Sequence, residues 1–152
     1  MYRELWTAGK SAYKLEPIVA DGGRLIVYAP HVGAISATHG EAIRRVGYHT
    51  RDYFLSQMDR FVDVPRAVLA HSTHLKGIGT FRNGTERPRI EIVLATAIPE
   101  PVCREINLSY LAPGSIDPTT YAADKDDVLV VPHAGERLYR LADGSVPDVD
   151  RL

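Results

Sequence analysis

A single cysteine, Cys103, excludes an internal disulfide framework and a cysteine-rich zinc site. No apolar run approaches the roughly 18 residues that a membrane-spanning helix needs. The first residues, Met1-Tyr2-Arg3-Glu4-Leu5-Trp6, lack the apolar core of a signal peptide. A formal net charge of -1 leaves no basic field to attract nucleic acid and no acidic tail. These absences point to a cytoplasmic chain with neither membrane nor nucleic-acid partners. Glycine-rich phosphate loops are missing too: Gly22-Gly23 precedes an apolar run and reads as a helix stop. No glycine elbow surrounds Ser72, against hydrolase chemistry of that kind.

What is present suits one domain of 152 residues, 45% hydrophobic and 24% charged. Leu5 to Leu15 forms an apolar helical stripe broken at Gly9, followed by a short helix from Glu16 to Ala20. Four apolar runs read as strands: Arg24 to Ala29, Arg66 to Ala70, Arg89 to Ala95 and Val128 to Val131. Helices are expected over Glu41 to Val46, Arg51 to Phe61, Pro99 to Ile106 and Pro118 to Ala123. Asn83-Gly84 predicts a hairpin. Leu108 to Pro118 reads as irregular, and Arg137 to Leu141 as a last short strand or helix. Strands alternating with helices predict an α/β fold. Its expected form is three-layer and Rossmann-like, with a mostly parallel sheet flanked by helices.

In such a sheet the strand carboxyl ends share one edge, and a site opens there. His31 follows the first expected strand, with His39 further along its loop. His71, Ser72, Thr73 and His74 follow the second, and His133 the fourth. Each is equally a hydrogen-bonded loop residue. His71 and His74 have a spacing that suits a shared metal, but no third ligand stands at a suitable spacing, so no metal site is assigned. Hydroxyls and backbone N–H groups in the crevice suit a carboxylate or phosphate. Lys10, beside Gly9 and after Thr7-Ala8, is either a solvated lysine or a point charge for an anionic group.

Several strings in order resemble a known family. They include Leu5-Trp6-Thr7-Ala8-Gly9-Lys10, Tyr13 to Gly23, Tyr28-Ala29-Pro30-His31, Thr38-His39-Gly40 and Gly47 to Phe54. Leu69 to His74, Ile106 to Tyr110 and Val131 to Glu136 complete the set. Together they resemble the C-terminal domain of the nickel-dependent lactate racemases, in the branch acting on other 2-hydroxy acids. The resemblance spans residues 2–141, with 142–152 as a tail.

The resemblance implies an isomerase with its active site between two α/β domains. A larger N-terminal domain, outside this chain, would hold the nickel-pincer nucleotide, the nickel-binding histidine and the acid–base pair. That cofactor would take a hydride from the 2-carbon and return it to either face. The C-terminal domain would close over the substrate, using a lysine and a polar residue three positions earlier. Spacing back from Gly22-Gly23, these match Lys10 and Thr7. Thr7 stands where the lactate enzymes carry glutamine, which points away from lactate. A tryptophan expected just before the second strand is replaced by Pro65-Arg66, and Trp6 is distant in sequence.

The expected role is therefore a substrate-capping domain with no catalytic residue or metal of its own, inactive without its N-terminal partner. His71, Ser72, Thr73, His74, His31, His39 and His133 are candidates to line the cleft. The alternative is a stand-alone, non-catalytic module that binds an anionic small molecule in the strand-end crevice.

Overall fold

The structure, a computed structural model, describes residues 3–121, 127–140 and 142–145. Its centre is a three-stranded parallel sheet in the order β1-β4-β5, built from β1 (Arg24–Ala29), β4 (Glu91–Thr96) and β5 (Ser109–Tyr110). A separate antiparallel ribbon joins β2 (Gly79–Arg82) to β3 (Thr85–Pro88). The fold is mixed α/β.

Two short helices, α1 (Leu5–Ala8) and α2 (Lys10–Leu15), precede β1 and meet at Gly9. A Cβ at Gly9 would lie 2.7 Å from Leu75 Cδ1 and 2.9 Å from the Leu5 carbonyl oxygen. Glycine is therefore required for the elbow to rest on the helix that carries Leu75. That helix is α5 (Arg66–Lys76). Between β1 and α5 lie α3 (Gly40–Val46) and α4 (Arg51–Leu55), and α6 (Glu100–Glu105) connects β4 to β5. A last short helix, α7 (Pro118–Tyr121), follows β5.

β1 alternates, with Leu25, Val27 and Ala29 buried and Arg24, Ile26 and Tyr28 exposed. The buried set meets Ile92 and Leu94 of β4. It joins one core with Ile43 and Val46 of α3, Val68, Leu69 and Leu75 of α5, and Cys103. Helices α3, α5 and α6 thus share one face of the sheet, as same-handed crossovers in one direction require.

Two expected strands are corrected. Residues 66–70 begin α5, and the helix continues through Lys76. Pro65 presets the backbone before the first turn, and the buried positions Val68, Leu69, Ser72 and Leu75 recur at helical spacing. A short apolar run fits either period, and here the longer pattern decides. Gly77, at φ +87, ends the helix. Residues 128–131 form no strand, with Leu129 65% exposed. Their apolar composition has no ladder partner there. The supposedly irregular stretch after Leu108 instead supplies β5, whose two residues were too few to show a period.

The other elements agree closely with expectation, although α4 gives way to a 3-10 turn over Met58–Phe61. Residues 137–140 carry no regular element. The expected helix beyond Tyr121, Leu141 and the tail from Val146 lie outside the described residues.

A buried clasp joins the N-terminal turn to the ribbon. Arg89 donates to the Val19 carbonyl at 2.7 Å, to Asp21 at 2.9 Å and to the Glu16 carbonyl. Its Nε lies 3.8 Å from the Glu16 carboxylate, with both side chains under 10% exposed (9% and 6%). That carboxylate accepts from Ile78 N–H at 2.6 Å and fills the space beside Gly77. Removing Arg89 strands a buried charge, so Arg89→Ala should cost about 3 kcal/mol. Urea denaturation measures the loss; a change under about 0.5 kcal/mol would show the clasp to be neutral.

Candidate functional site

The elbow at Gly9 brings together residues that are far apart in sequence. Leu5 and Trp6 donate backbone N–H groups to the carbonyls of Ala34 and Ile35, each at 2.9 Å. The N-terminal segment is thereby fixed to the loop after β1. The Trp6 ring stacks on His71 of α5, with centroids 4.1 Å apart and planes at 13°, and packs on His39 at 4.3 Å. His71 Nε2 donates to the Trp6 carbonyl at 2.8 Å. One turn along, His74 lies 5.1 Å from the Tyr13 ring of α2.

The Trp6 carbonyl can only accept, so the neutral His71 ring carries its proton on Nε2 and presents a lone pair at Nδ1. That Nδ1 is buried and has no hydrogen-bond partner among the described residues. Burial is the main reason the His71 pKa falls from 6.5 to about 4. The hydrogen bond to Trp6 opposes the fall, and the charges of Lys10, His74 and His39 add to it. Lys10, one position beyond the elbow, is exposed and has no ion pair among the described residues. Thr7 is half-buried on the preceding turn.

The expected strand-end constellation is therefore redistributed. His71 and His74 reach the elbow from a helix, and His39 from the loop after β1. Thr73 stays on α5, its hydroxyl donating to the Ala70 carbonyl at 2.9 Å. Ser72 is fully buried, turned toward the 47–49 loop. It donates to the Gly47 carbonyl at 2.8 Å and accepts from His49 N–H at 3.0 Å. It pins the 47–49 loop and lines no open surface. His31 is exposed just after β1, outside the ring stack. His133, at φ +55, precedes a turn whose Gly135 carbonyl accepts from Lys14 of α2 at 2.6 Å.

The crevice at the carboxyl ends of β1 and β4 is an open depression of about 400 Å³. It lies between the loop after β1, the start of α3 and the start of α6, and no histidine lines it. Among the described residues, no three His, Cys, Asp or Glu side chains converge on a possible metal position.

A second polar cluster escaped the sequence reading. Glu86 of β3 accepts from Thr50 N–H at 2.6 Å, lies 2.8 Å from His49 Nδ1 and takes Asn107 Nδ2 at 3.3 Å. Tyr53 stacks on His49 at 3.7 Å, and Lys76 Nζ donates to the Asn107 carbonyl at 2.6 Å. Burial pushes the Glu86 carboxyl up, but its hydrogen bonds and His49 outweigh this and hold it low. The available signal was the hairpin alternation, which turns Glu86 inward with Phe81.

Comparison with protein families and with curated proteins found no match. A crystal structure of a protein from Thermotoga maritima does match, with 37% identity and a TM-score of 0.84. The match covers 91% of this chain and 34% of that one, so the chain spans about a third of its length.

His71 gives a pH signature. Its folded pKa of about 4 lies below the unfolded value of 6.5, so the unfolded chain binds the extra proton first. Stability is fully expressed above about pH 6.5 and falls towards pH 4, by at most on the order of 3 kcal/mol. Urea midpoints from pH 4 to 8 should show this slope, and His71→Gln should flatten it. Equal slopes in both proteins would remove His71 as the source.

Proposed function

We propose that the chain is the substrate-capping domain of a nickel-pincer-dependent 2-hydroxyacid racemase or epimerase. It is inactive without a second domain that holds the cofactor. The sequence strings that resemble this family support the reading, and so does the similarity to one third of a longer chain. The observation that carries it is the placement of Lys10. An exposed ammonium with no ion pair among the described residues stands at the elbow, three positions after the Thr7 hydroxyl and beside the Trp6–His39–His71 stack.

This arrangement can bind and orient. Lys10 pairs with the substrate carboxylate, a charge-assisted contact. Thr7 offers a hydroxyl as a second hydrogen-bonding group. The Trp6 ring, braced by His71, forms an apolar wall that excludes water. The metal is not placed on this chain, because no three-residue ligand set is present among the described residues. No step is derived through it. A stand-alone module for an anionic small molecule is the second reading, favoured by the same exposed ammonium.

Adding the chain to a separately produced, cofactor-loaded N-terminal domain should restore racemisation of a chiral 2-hydroxy acid, followed by polarimetry. In that complex Lys10→Ala should lower kcat/KM by roughly 10- to 150-fold, the value of a lost charge-assisted hydrogen bond. Unchanged turnover in Lys10→Ala would sink the assigned role. Binding of the hydroxy acid by the chain alone, with no turnover in the complex, would favour the module.

A further inference from the structure

We propose that the strand-end cavity is a binding site for a small zwitterion, an α-amino acid with an apolar side chain. It shares no residue with the Thr7–Lys10 elbow, and the inference stands independently of the proposed function. The floor is apolar: Ile98 and Ile35 are 1% and 6% exposed, and Val102 also lines it. Over it stand two opposite charges on one face of α3. Glu41 is exposed with no ion pair among the described residues. Arg44, three residues on, is held by Glu105 at 2.5 Å. That bond fixes the guanidinium and leaves N–H donors for another carboxylate. An ammonium therefore meets Glu41, a carboxylate meets Arg44 and an aliphatic group covers Ile35 and Ile98.

Two glycines shape the wall of the cavity. Gly33 and Gly40 both line the cavity, and neither has a positive φ. A Cβ built on either would meet nothing within 4 Å. Without side chains they leave open backbone at the cavity wall, against which a ligand can lie closely. The position also fits, since open α/β sheets bind ligands beyond the carboxyl ends of adjacent parallel strands.

The test is calorimetric titration of the full chain with L-leucine, with backbone amide shifts recorded by NMR. Shifts should centre on residues 33–41 and 98–102. Isopentylamine, which lacks the carboxylate, and 4-methylpentanoate, which lacks the ammonium, should each bind at least about tenfold more weakly. Glu41→Gln and Arg44→Gln should each weaken leucine to a similar degree. Gly40→Ala should weaken leucine by about tenfold or more while leaving the thermal midpoint unchanged or raised, since the added methyl enters open space. A purely structural glycine would lower the midpoint instead. Lys10→Ala should leave leucine binding unchanged. The proposal is overturned by no binding at tens of millimolar leucine, by equal affinity for the two truncated probes, by unaltered binding in Gly40→Ala, or by loss in Lys10→Ala.

Discussion

The absence of a side chain at Gly9 allows α1 and α2 to lie against Leu75, and much of the molecule's arrangement depends on that contact. A methyl group there would push the elbow off α5 by more than rotamer adjustment absorbs, because the backbone carbonyl of Leu5 closes the other side. The elbow seats Trp6 over His71 and aligns its carbonyl with Nε2. It also sets the direction in which Thr7 and Lys10 leave the core. The Glu16–Arg89 clasp then ties the far end of the same segment to the ribbon.

Most of the local structure was legible because local chemistry dictates it. Arg24–Ala29 alternates, Asn83-Gly84 turns and Gly47 stops a helix, each through a mechanism confined to a few residues. The errors arose where the decisive information was distant. Val68-Leu69-Ala70 is strand-like over three residues and helical over ten. Val128 to Val131 has strand composition without a neighbouring strand. Ser109–Tyr110 is a strand only because Val93 and Leu94 pair with it. The candidate site shows the same division. Residue types at the elbow were visible, whereas the closeness of Trp6 and His71 follows from packing between elements 65 residues apart. Glu86 was hidden for the same reason, since its partners His49, Thr50 and Asn107 come from two other loops.

The chemistry divides between two places. At the elbow, Lys10 is exposed and has no ion pair among the described residues. The histidine beneath it is kept neutral by burial and by that same positive neighbourhood. Charge is offered outward and a dipole is held inward. The Glu86 cluster does the reverse, concentrating opposite charges inside to hold a ribbon in place. A half-buried, hydrogen-bonded carboxylate organises its surroundings, whereas an ammonium with no ion pair among the described residues remains available.

β1 is an edge of the sheet, and its outward row carries Arg24, Ile26 and Tyr28, with the two apolar members 39% and 43% exposed. An edge strand offers unpaired backbone groups, and a half-apolar face beside them favours annealing to a neighbour. The Arg24–Glu91 pair at 2.7 Å sets a charged gatekeeper at the start of that row and leaves its other end unguarded. Self-association of this chain would therefore begin at the Tyr28 end of β1, and ionic strength would alter its onset little.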